Sequence, residues 1–160
     1  MTSVDFFRAF AADITSVTSK KVAYYFEHSR EDFANLYDAD SPEDDQIKMF
    51  HYTTDIQVEQ SESGSVTGVR YAGEITAVIK SDLAETIDVQ KDTEKADAKY
   101  ELRIKAMIED GGIIAEIIEY NRCNTARDYE ISFSGLKEVY NMFDFNADGI
   151  TFLYELFIPV

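Results

Sequence analysis

Residues 47–79 carry the pattern that most restricts what this chain can fold into. From Ile47 onward apolar and polar side chains alternate. Phe50, Tyr52, Thr54, Ile56 and Val58 share one face, and His51, Asp55, Gln57 and Glu59 are among the polar alternates. A period of two is the signature of an extended strand with one face turned to a core. QSESGS at 60–65 is a polar turn, after which Val69, Tyr71, Ile75, Ala77 and Ile79 restore the alternation on the way back. The two runs predict a long antiparallel hairpin. Gly68 and Gly73 fall within its return strand, where glycine marks a bulge or a close approach of backbones.

The flanking segments supply the remaining layers. Thr2 or Ser3 can cap a helix with Asp5 in its first turn, and Phe7, Phe10, Ile14 and Val17 then recur at helical spacing. VAYYFEH at 22–28 reads as a short strand, and residues 31–46, acidic and carrying Ser41-Pro42, as a loop. After a charged stretch at 91–97, Tyr100, Ile104, Met107 and Ile108 have helical spacing. Gly111-Gly112 divides them from a second series, Ile113, Ile114, Ile117 and Ile118. DYEISF at 128–133 reads as a strand. Leu136, Val139, Tyr140 and Phe143 then sit at i, i+3, i+4 and i+7, so helix and strand both stay open at 136–143. The closing ITFLYELFIPV is apolar on both alternating faces and is expected to be buried between two layers. The expected fold is α+β: a mixed, mainly antiparallel sheet with a long β-hairpin, packed against amphipathic helices, in a single domain over residues 1–160.

Composition narrows the function classes. The 160 residues include 45% hydrophobic and 13% aromatic side chains, enough for one core. Asp and Glu number 31 against 15 Lys and Arg, a net charge of −16, so the summed field repels nucleic acid and anionic membranes. Any partnership with DNA is then indirect and not sequence-specific. Cys123, the single cysteine, has no internal disulfide partner, and no apolar run approaches the roughly 20 residues that span a bilayer. The opening MTSVDFFRAF lacks the pattern of a signal peptide, so the expectation is folding in the cytosol.

The sharpest local motif is DFNADGITFLYE at 144–155, which satisfies D-x-[DN]-x-[DN]-G-x5-E. On the calcium reading Asp144, Asn146 and Asp148 supply oxygens, Gly149 makes the sharp bend and Glu155 is the bidentate ligand. Against it, only five residues follow Glu155, one of them Pro159, so an exiting helix has no room, and ITFLYELF favours a strand. The competing reading is a type I turn at Asn146-Ala147-Asp148-Gly149, with Gly149 in the left-handed place of a hairpin bulge. The turn is preferred, and no metal or other cofactor is expected. His28 and His51 lack zinc-ligand spacing and are read as surface or half-buried strand residues. Cys123, between Arg122 and Arg127, has no nucleophile motif around it, and pairs such as Asp44-Asp45 are expected on solvated faces of so acidic a chain. Nucleophile elbows, P-loops and dinucleotide loops are missing, so no enzymatic activity is expected. Tyr24-Tyr25-Phe26 fits a sheet core or an interface better than base stacking, which comes with a basic groove.

The order of elements, with RDYEISF followed by NADGITFLYELFIPV at the end, resembles tail-terminator and related head-to-tail neck (connector) proteins of tailed bacteriophages. The resemblance implies a non-enzymatic virion subunit forming a homo-oligomeric ring, commonly a hexamer. Such a ring caps the tail tube, contacts tail-tube and neck proteins, and is assembled in the host cytoplasm. An acidic lumen would let DNA pass without sticking. On this reading the hairpin at 47–79 and the last strand at 150–160 lie at subunit contacts. Two alternatives stand beside it: a calcium-binding module using residues 144–155, and an acidic interaction protein that masks a basic partner.

Overall fold

The structure is a computed structural model and describes residues 1–17, 21–26, 46–80, 105–109, 112, 113, 115, 116, 119, 129–142 and 147–160. Helix α1 (Ser3–Val17) is followed by β1 (Val22–Phe26), β2 (Ile47–Gln60), β3 (Val66–Lys80), a single helical turn α2 (Lys105–Ile108), β4 (Glu130–Met142) and β5 (Ala147–Pro159). The strands form one mixed sheet in the order β1-β2-β3-β5-β4. β1 runs parallel to β2, and the other three pairings are antiparallel.

β2 and β3 are the expected hairpin. Its turn closes through bonds from Ser61 N–H to Ser65 O (2.8 Å) and from Gly64 N–H to Ser61 O (2.8 Å). Gly64 has φ +81°, a conformation open to glycine at little steric cost. Within the ladder Thr53 faces Gly73 and Asp55 faces Ala72, so Thr54 is an extra residue and a bulge. Gly73 lies beside it for a steric reason: a Cβ there would run into the carbonyl oxygen of Tyr52. A second irregularity lies between Glu59 and Gln60, next to Gly68.

The bulge at Thr54 corrects the expected faces of β2. An extra residue reverses the alternation, so side chains that share parity along the sequence part company. Before the bulge Ile47, Met49 and His51 face α1, while Lys48 and Phe50 face the other side. After it Ile56, opposite Tyr71, and Val58, opposite Val69, join the side that carries α1. Phe50 and Tyr52 therefore do not share a face with Ile56 and Val58.

The main core lies between α1 and the sheet. Phe6, Phe7, Phe10 and Ala11 of the helix are buried with Met49, Ile75, Ala77, Ile150, Phe152, Tyr154 and Leu156. Thr2 caps α1: its hydroxyl accepts from Asp5 N–H (3.2 Å), and the Asp5 carboxylate accepts from Thr2 N–H (2.9 Å) and from that hydroxyl (2.8 Å). These bonds hold the exposed Asp5 carboxyl below its ordinary pKa. Met107 of α2 and Ile113 also belong to the core.

β4 extends to Met142, so residues 136–142 are strand despite their helical spacing. Pairing to β5 as far as Ala147 decides the matter. β5 is not sandwiched along its whole length: Ile150, Phe152, Tyr154, Leu156 and Ile158 are buried, but Leu153 is 46% exposed and Glu155 is open to solvent. The acidic loop expected at 31–46, apart from Gln46, and most of the expected helical region around 98–121 lie outside the described residues.

Candidate functional site

The described part of 144–155 forms no loop. Ala147, Asp148 and Gly149 already belong to β5, facing Lys80, Ile79 and Val78 of β3. Asp148 and Glu155 are therefore seven residues apart on one strand, about 23 Å at roughly 3.3 Å per residue, and on opposite faces. Oxygens that share one calcium lie within about 5 Å of each other. Asp148 is buried and Glu155 exposed, and one ion does not reach both. The turn reading needs correction too. Ala147, Asp148 and Gly149 are strand residues, and Gly149 has no positive φ. Glycine stands at 149 because a Cβ would run into the Ala77 carbonyl oxygen of the adjacent strand. Asp144, Asn146, His28, Arg122, Cys123, Arg127 and the Asp44-Asp45 pair lie outside the described residues. Among the described residues no three His, Cys, Asp or Glu side chains are grouped as metal ligands, and no helix is long and apolar enough to cross a membrane.

The structure builds a polar cluster where alternation put an outward histidine. His51 is fully buried. Its Nδ1 lies 2.7 Å from Tyr24 Oη and its Nε2 lies 2.6 Å from Tyr154 Oη. A neutral imidazole donates from one nitrogen and accepts at the other, so one tyrosine donates to the ring and the other accepts from it. Thr53 Oγ1 is 3.3 Å from His51 Nε2, 3.2 Å from Tyr154 Oη and 3.3 Å from Ser3 Oγ, which extends the cluster to the start of α1. The Phe7 ring packs on both His51 (4.7 Å between centroids) and Tyr154 (4.8 Å). Burial lowers the His51 pKa from 6.5 to about 3 and pushes the Tyr24 and Tyr154 phenols upward. A neutral histidine buried between two phenols orients this part of the core. The partners that bury it stand 27 and 103 residues away, a relation no local pattern contains.

A second buried polar residue on the opposite face also escaped the sequence pattern. Lys48 Nζ donates to Tyr25 Oη (2.9 Å), and the ammonium lies 5.0 Å from the centre of that ring. Tyr25 in turn stacks on Phe50, at 5.3 Å between centroids.

Two surface features adjoin the cluster. An open cleft of about 460 Å³ lies where α1 begins, between Ser3 and Val4 on the helix, Thr53, Asp55 and Ile56 on β2, and Tyr71. Ile56 and Val58 lie toward the turn end of the hairpin, where β3 stays paired to β5 as far as Gly68. There Ile56 is 60% exposed and Val58 59%, beside half-buried Val69 and Tyr71. The other face of the hairpin is polar there, with Asp55 and Gln57 joined (2.6 Å) and Arg70 bound to Glu59 (2.6 Å). No protein-family model and no curated protein matches this chain.

Proposed function

We propose that this chain is a non-enzymatic structural subunit of a tailed-phage virion, a tail-terminator or neck protein whose copies form a homo-oligomeric ring at the head–tail junction. The exposed apolar pair Ile56 and Val58 is the observation that carries the reading. A chain with net charge −16 can keep its surface polar, yet Ile56 and Val58 stand in water at the end of strands of 14 and 15 residues. Neighbouring apolar side chains left exposed on one strand favour burial against another molecule. The separation of Asp148 from Glu155 supports an assembling subunit over a calcium-binding one.

In a ring the amphipathic helices form the layer behind the hairpins, tail-tube and neck proteins bind the two ends, and carboxylates around the lumen keep DNA from adhering. The particle is the place of work, and assembly takes place in the host cytoplasm. Native mass measurement of the purified protein, with immunodetection in purified particles, tests the reading. The expected results are a closed multimer, six copies being the number the family resemblance implies, and presence in the tail or neck fraction. A strict monomer at high concentration that is also absent from particles overturns it.

A further inference from the structure

We draw no further inference here: the strongest candidate, the surface patch of Ile56, Val58 and Tyr71 beside the cleft at the start of α1, is an unpartnered apolar face, and nothing in the structure shows what covers it.

Discussion

His51 is the residue at which sequence and structure part most sharply, and its environment makes a pH prediction. With a pKa near 6.5 when unfolded and about 3 when folded, it is neutral in both states above pH 6.5. Below that the unfolded chain takes up a proton that the folded one refuses, so stability is full above pH 6.5 and is lost as pH falls toward 3. Each pH unit in that window should cost about 1 kcal/mol. Urea titrations of the parent and of His51→Gln should therefore diverge in slope between pH 6 and 4, the parent falling faster. Equal slopes would mean the ring is not sealed from water. Gly149 separates two accounts of one glycine. A left-handed turn position accepts Asn, but a strand position against the Ala77 carbonyl does not. Gly149→Asn should thus destabilise as much as Gly149→Ala, by about 1–3 kcal/mol or more, and a near-neutral Asn variant would restore the turn reading.

Helix-facing core positions and exposed hairpin positions should respond differently to substitution. Phe7 is buried against His51 and Tyr154, so Phe7→Ala should cost about 3–5 kcal/mol. Ile56, mostly in water within one copy, should change monomer stability by no more than about 0.5 kcal/mol on becoming Lys. Chemical denaturation at low concentration reads both, and a large loss at Ile56 would place that side chain inside the monomer's core. β5 as one continuous strand predicts that calcium leaves the melting temperature of the parent and of Glu155→Gln unchanged. A calcium-dependent rise lost on that substitution would show that residues 144–155 rearrange into a loop. The hairpin and α1 were legible because their apolar residues recur at strand and helix spacing, and β1 because it is rich in strand-favouring residues. The reversal at Thr54 was not, since an extra residue is visible only against the strand opposite. At 136–142 the helical spacing was real but was outweighed by pairing to β5.

For the whole molecule the net charge of −16 opposes association of like copies at low salt. Screening shortens from about 30 Å at 0.01 M to about 8 Å at physiological ionic strength. Sedimentation should accordingly show the multimer fraction rising with salt over that range. A fall with salt would point to a basic partner as the real target of the acidic surface. Composition, the two-residue period of 47–79 and the capped amphipathic start were enough to determine a sheet with a long hairpin and a helix laid on it. These properties arise from neighbours along the chain, and neighbours along the chain are what a sequence displays. Only the tertiary structure decided that β1 joins β2 in parallel and that His51 sits between Tyr24 and Tyr154. It alone set Asp148 and Glu155 on opposite faces of β5. Each of these depends on register between segments far apart in sequence, where a shift of one residue would send every side chain to the other side.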